Sequence, residues 1–158
     1  MMNHVRYRQD NHAPLPSPTV YRLASERRYG EIPAHVRINP QDIYWQDRYG
    51  GTALHVLCSS SQVGDALYRA IDAILQQDSS LVGQPNAASW TPLHLACEKR
   101  LLWRSKIASC EIVLRLIAAC PGAVSVKLQS GYKAKTPFHI ACDTNASISV
   151  LQAMLRAD

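Results

Sequence analysis

Three His-x-x-Cys pairs hold the reactive side chains whose spacing repeats in this chain: His55/Cys58, His94/Cys97 and His139/Cys142. On a helix, positions three apart share a face, so each pair could offer two ligands to a metal ion. A structural zinc takes four ligands at roughly 2.0–2.3 Å. Packed helices lie about 8–10 Å apart, too far for neighbouring pairs to share one ion easily. Each pair is then half a site, and no metal or other cofactor is expected. The same residues suggest a cysteine nucleophile with a histidine base. A reactive thiolate needs a partly exposed, electropositive site, whereas Cys58, Cys97 and Cys142 fall on a face expected to be buried. Cys110, expected to be more exposed and near Arg104 and Lys106, is the candidate for redox sensitivity, but no His or Asp is spaced to orient it. No Gly-rich loop could cradle a phosphate, and Asp65 and Asp72 read as solvated positions rather than an acid–base pair. The expectation is a protein that is not an enzyme.

The elements that must position these pairs begin with a threonine. Trp90-Thr91-Pro92-Leu93-His94-Leu95-Ala96-Cys97 reads as the start of a short buried helix. Thr91 can cap it by taking a free backbone N–H, and Pro92 suits the first helical position, where a missing N–H does no harm. Leu93, Ala96 and Cys97 share one apolar face, and two of the three are small enough to let a neighbouring helix approach. The stretch recurs as Thr52-Ala53-Leu54-His55-Val56-Leu57-Cys58 and as Thr136-Pro137-Phe138-His139-Ile140-Ala141-Cys142. A degenerate copy is Thr19-Val20-Tyr21-Arg22-Leu23-Ala24.

The threonines are 33, 39 and 45 residues apart. A second apolar helix follows in register: Ile71 with Ile74 and Leu75, Val113 with Leu116 and Ile117, Leu151 with Met154 and Leu155, and more weakly Ile32 with Val36. Exit loops then start near Pro40, Ser79 and Pro121. Turn formers precede the next threonine in Asp47-Arg48-Tyr49-Gly50-Gly51, Asn86-Ala87-Ala88-Ser89-Trp90 and Gln129-Ser130-Gly131-Tyr132-Lys133. The unit is turn, short helix, longer helix, exit loop. One such unit cannot bury its apolar face alone, but stacked copies can.

The repeat resembles the ankyrin family, whose signature is Thr-Pro-Leu-His-x-Ala with a period of 33 residues. Thr91 to Ala96 matches every fixed position, and the Thr136 copy differs only by Phe138. The Thr52 copy has Ala53 for Pro and Leu57 for Ala, and the Thr19 copy lacks both Pro and His. The longer periods place extra residues between the two helices of a unit, notably at 99–106. The turn before Thr136 is also longer by three residues. The resemblance implies an all-α solenoid of four units over 19–158, with turns projecting as fingers and first helices lining a concave face. It implies a protein-interaction module, with the conserved-type His bracing the turn. By the family's pattern, Arg48, Tyr49, Ala88, Trp90, Tyr132, Lys133 and Lys135 on the turns would meet a partner. On the first helices Ser59, Glu98, Lys99, Asp143 and Thr144 would do so. An ankyrin array attached to a larger enzyme or signalling protein is the alternative of another class.

Charge and composition narrow the partner. The net charge of +5 is local: residues 91–135 hold eight basic side chains against Glu98 and Glu111. An acidic protein partner suits that patch, steered by charge. The Lys/Arg run at 99–106 with Trp103 also admits nucleic acid, though a solvated loop is the plainer reading. Only 7% of residues are aromatic, which suits helices packed through Leu, Ile, Val and Ala. No apolar run approaches the ~18 residues of a membrane span. With no leader-like start and five cysteines inside helical patterns, the expectation is an intracellular protein, cytoplasmic or nuclear, with reduced thiols. Residues 1–18, with Pro14, Pro16 and Pro18, read as a disordered tail. The apolar Ile148, Val150, Leu151, Met154 and Leu155 in the last helix suggest self-association there, or fraying.

Overall fold

The computed structural model describes residues 19–98, 108–129 and 134–157. The tail at 1–18, the insert at 99–106 and the candidates Lys99, Tyr132 and Lys133 lie outside the described residues. Eight α-helices are present among those described: α1 (Thr19–Ser25), α2 (Ile32–Ile38), α3 (Ala53–Cys58), α4 (Asp65–Gln77), α5 (Pro92–Glu98), α6 (Ala108–Ala119), α7 (Pro137–Asp143) and α8 (Ile148–Ala157). No strand occurs among the described residues. The chain there is all-α, as the periodicity predicts.

Helices of six or seven residues, such as α3 and α7, are too short to hold in water without tertiary contacts. Each is fixed at its start by a reciprocal cap. The Thr52 hydroxyl accepts the His55 backbone N–H, and His55 Nδ1 accepts the Thr52 N–H; Thr136 and His139 repeat the pattern. Histidine thus stands where a capping box usually carries Glu or Gln. The longer α4 is amphipathic: Leu67, Ala70, Ile71 and Ile74 are buried, while Asp65, Arg69 and Gln76 are exposed. Short 3-10 turns at Pro40–Tyr44, Ser79–Gly83 and Pro121–Ser125 carry the chain out of α2, α4 and α6.

Packing follows the repeat. The first helices touch in chain order, α1 on α3, α3 on α5 and α5 on α7. The second helices form the other layer, with α2 on α4 and α6 on α8. Between α4 and α6, Arg115 bridges to Asp72 across the layer and to Glu111 at 2.7 Å within α6, with its guanidinium over the Tyr68 ring. Ala24, Ala53, Ala96 and Ala141 are all buried in the first-helix layer, which lets these short helices sit close. The core lies between the layers, where Leu23, Leu54, Leu57, Ile71, Ile74, Leu93, Val113 and Leu116 are removed from water. Each such side chain contributes roughly 1.5–3 kcal/mol through burial.

Two cysteines differ from the sequence expectation. Cys142 is exposed, not buried, because no described helix packs on α7 where α5 and α7 pack on the faces of Cys58 and Cys97. Cys110 is buried, not exposed, because the start of α8 covers it; its thiol donates to Ser147 Oγ at 3.1 Å.

Candidate functional site

The candidate surface is built on the turns. In the first finger, the Gly50 N–H donates to the Asp47 carbonyl and the Asp47 N–H to the Gly51 carbonyl, both at 2.9 Å. The second finger repeats this with Ser89 to Asn86 and Asn86 to Trp90, again at 2.9 Å. Asp47 Oδ1 accepts the N–H groups of Tyr49 and Gly51 at 2.8 Å, and Asn86 Oδ1 those of Ala88 and Trp90 at 3.0 Å. The residues two before Thr52, Thr91 and Thr136 have positive φ: Gly50 at 73°, Ser89 at 66° and Ala134 at 55°. The first two fingers stand side by side, with the Ala87 N–H donating to the Tyr49 carbonyl at 2.7 Å. In the third, the Leu128 N–H donates to the Lys135 carbonyl at 3.0 Å.

Histidines tie α3 and α5 to the finger that follows each. His55 Nδ1 lies 2.9 Å from Thr52 Oγ1 and 3.1 Å from the Thr52 N, which donates to it. The ring proton therefore sits on Nε2 and is donated to the Trp90 carbonyl at 3.1 Å. His94 repeats this, with Thr91 Oγ1 at 2.8 Å and the Lys135 carbonyl at 3.4 Å. Burial holds the His55 imidazole below its usual range, although the Trp90 carbonyl favours the charged form. Burial pushes His94 down to about 4, against the opposing pull of the Lys135 carbonyl. Both nitrogens of each ring are used, so neither His is free to bind metal as it stands. Burial also raises the Cys58 and Cys97 thiols well above their usual range, away from thiolate chemistry. Among the described residues, no three His, Cys, Asp or Glu side chains gather as a metal site would require.

His139 keeps the contact with Thr136, at 2.8 Å, but is exposed. In the Thr19 unit, which lacks the histidine, Tyr21 takes over the bracing. Its hydroxyl donates to Asp47 Oδ2 at 2.7 Å and its ring packs edge-on against Trp45 at 4.6 Å between centroids. Burial first, and then the Asp47 carboxylate, raise the Tyr21 phenol above its usual range.

The candidate residues divide into two groups. Arg48, Tyr49 and Ala88 are exposed on the first two fingers, and Tyr49 is 58% accessible. The Arg48 guanidinium lies over the Tyr49 ring, 4.7 Å from its centroid, which holds an aromatic surface open beside a positive charge. Trp90 is half-buried, with its ring edge-on to His94 at 6.0 Å. Lys135 is bonded through Nζ to the Asp143 carboxylate, so its charge is partly balanced at the end of α7. The fingers therefore gather Arg48, Tyr49, Ala88 and Trp90, and Lys135 joins Asp143. Glu98 is exposed at the end of α5.

The others sit at the far ends of the first helices and are held internally. Ser59 Oγ donates to the Val56 carbonyl at 2.9 Å. Thr144 Oγ1 lies 3.0 Å from the Cys97 carbonyl and 2.9 Å from that of Ile140, stitching the end of α7 to that of α5. A groove lined by Arg27, Arg28, Val63 and Leu67 lies at that same end, away from the fingers, and holds none of the candidates. Val56 and Leu95, four residues after their threonines, are half-exposed and lie outside the candidate set. An apolar residue within a helical pattern reads as core, so only their exposure distinguishes them.

No described helix is long and apolar enough to cross a membrane. The chain matches no model of a known protein family and none of the curated proteins.

Proposed function

We propose that this chain is an ankyrin-type solenoid that binds a protein partner on its fingers and first helices, without catalysis of its own. The exposed Tyr49 ring under the Arg48 guanidinium, on a finger bonded to its neighbour through Ala87, carries this reading. A rigid aromatic side chain loses little entropy on binding, and aromatic and arginine side chains supply most interface anchors. The Thr–His braces support it, since each fixes a finger relative to the helix before it. A protein with acidic side chains around an apolar anchor suits the basic and aromatic fingers best. An intracellular setting, cytoplasmic or nuclear, fits the reduced thiols. The test is capture of partners on immobilised full-length chain, beside Tyr49→Ala and Arg69→Ala baits. Proteins retained by wild type and Arg69→Ala but lost with Tyr49→Ala support the reading. Retention by all three baits counts against it.

A further inference from the structure

We propose that Tyr21 is a positioning residue for the binding surface: through Asp47 it holds the first finger, and with it the Tyr49 ring, in one arrangement. The proposal rests on the finger reading above and adds a residue that touches no partner. None of the candidate contact residues lies on α1. Yet the Tyr21 hydroxyl, from that helix, donates to Asp47 Oδ2 at 2.7 Å across 26 residues of chain. The other carboxylate oxygen, Asp47 Oδ1, accepts the N–H groups of Tyr49 and Gly51, each at 2.8 Å. One side chain therefore joins a helix of the first unit to the backbone of the residue with the exposed ring.

The second finger lacks this link. Asn86 stands where Asp47 does, and its Oδ1 accepts the Ala88 and Trp90 N–H groups at 3.0 Å. Among the described residues, its side chain bonds nothing outside its own turn. That finger is held from α3 by a backbone atom, the Trp90 carbonyl that takes the His55 proton. In the first finger Gly51 leaves room for the carboxylate. A Cβ there would come within 3.1 Å of Asp47 Oδ2, the oxygen that Tyr21 bonds, whereas the equivalent place in the second finger holds Trp90. The Tyr21 ring is itself fixed, edge-on to Trp45 at 4.6 Å between centroids. On its far side the first finger accepts the Ala87 N–H at the Tyr49 carbonyl, at 2.7 Å. It is thus held by α1 on one side and by the second finger on the other. The α1 link ends on a carboxylate, and such charge-assisted hydrogen bonds are the stronger kind. A finger ordered before the partner arrives does not have to be ordered on binding.

Two conservative variants of the full chain test it. Tyr21→Phe keeps the ring against Trp45 and loses only the hydroxyl. Tyr29→Phe is its control, because it removes the 2.8 Å Tyr29–Ser60 hydrogen bond, which joins the same two units at the end away from the fingers. Amide exchange followed by NMR should speed about tenfold at Tyr49 and Gly51 in Tyr21→Phe, with Ala88 and Trp90 unchanged. In Tyr29→Phe the first finger should exchange as in wild type. A fluorescein-labelled dodecapeptide of glutamates around a central tryptophan serves as the binding probe. Tyr21→Phe should lower its affinity about threefold to tenfold, Tyr29→Phe should leave it unchanged, and Tyr49→Ala should lower it further. Unchanged exchange at Tyr49 and Gly51 in Tyr21→Phe, or equal changes in Tyr29→Phe, would overturn the proposal. So would a probe affinity that falls with Tyr49→Ala but not with Tyr21→Phe. A probe affinity unaffected by Tyr49→Ala would instead overturn the finger reading, and the positioning role with it.

Discussion

His55 donates its Nε2 proton to the carbonyl oxygen of Trp90, 3.1 Å away and 35 residues further along the chain. The contact joins a helix cap to the base of the next finger. His94 and Lys135 repeat it one unit on. Each histidine therefore has two tasks, closing its own capping box and fixing the finger of its neighbour.

Removing such a brace should cost more in the middle of the stack than at its end. His55→Ala and His94→Ala each leave a buried carbonyl, a threonine N–H and a cavity, and should destabilise by about 2–4 kcal/mol. His139→Ala loses only an exposed cap and should cost about 1 kcal/mol or less. Urea unfolding of the three variants separates them. Equal losses at all three positions would mean that the link to the next finger contributes nothing.

The same buried imidazole makes stability fall in acid. His94 has its pKa lowered from 6.5 to about 4 in the folded chain, so the unfolded chain takes up the proton first. Its contribution is complete above pH 6.5 and is lost as pH falls towards 4. At one pKa unit per 1.36 kcal/mol, the full effect is roughly 3 kcal/mol. His94→Gln cannot take up that proton, so it should be less stable at pH 7 yet show a flatter stability profile between pH 6.5 and 4. An unchanged slope in the variant would assign the acid sensitivity to other groups.

Positive φ at the base of each finger gives a stabilising substitution. Ser89 and Ala134 hold the left-handed conformation that Gly50 adopts without steric cost. Ser89→Gly and Ala134→Gly should each raise stability by up to about 1 kcal/mol, the relieved strain exceeding glycine's greater unfolded-state entropy. Gly50→Ala should do the reverse. Its Cβ would meet the Ala87 backbone nitrogen at 3.2 Å, in the contact between the two fingers. Thermal melts of the three variants check the sign of each change.

The periodic features were legible in the sequence because they obey local rules. A threonine followed by His at the third position specifies a cap, and small residues on one face specify close helix packing. Both are present at Thr52, Thr91 and Thr136. What escaped is aperiodic. The Tyr21–Asp47 bond spans 26 residues and the Arg115–Asp72 pair spans 43, and no spacing rule announces either. By its place after α7 Thr144 reads as a contact residue, yet its hydroxyl binds carbonyls of two helices. Cys142 shares the motif of the buried Cys58 and Cys97, yet it is exposed. Burial depends on what lies across the helix, which a motif does not encode.

Binding kinetics of the captured partner with Tyr49→Ala, beside Arg69→Ala, tests the finger assignment most directly. Tyr49 is exposed, and the contact its backbone makes to Ala87 survives the substitution, so folding should be unchanged. Tyr49→Ala should weaken binding by roughly 2 kcal/mol, about 30-fold, chiefly through faster dissociation. Arg69→Ala, on the exposed side of α4, should bind like wild type. If Arg69→Ala weakens binding while Tyr49→Ala does not, the partner sits on the second-helix side and the finger surface is not its site.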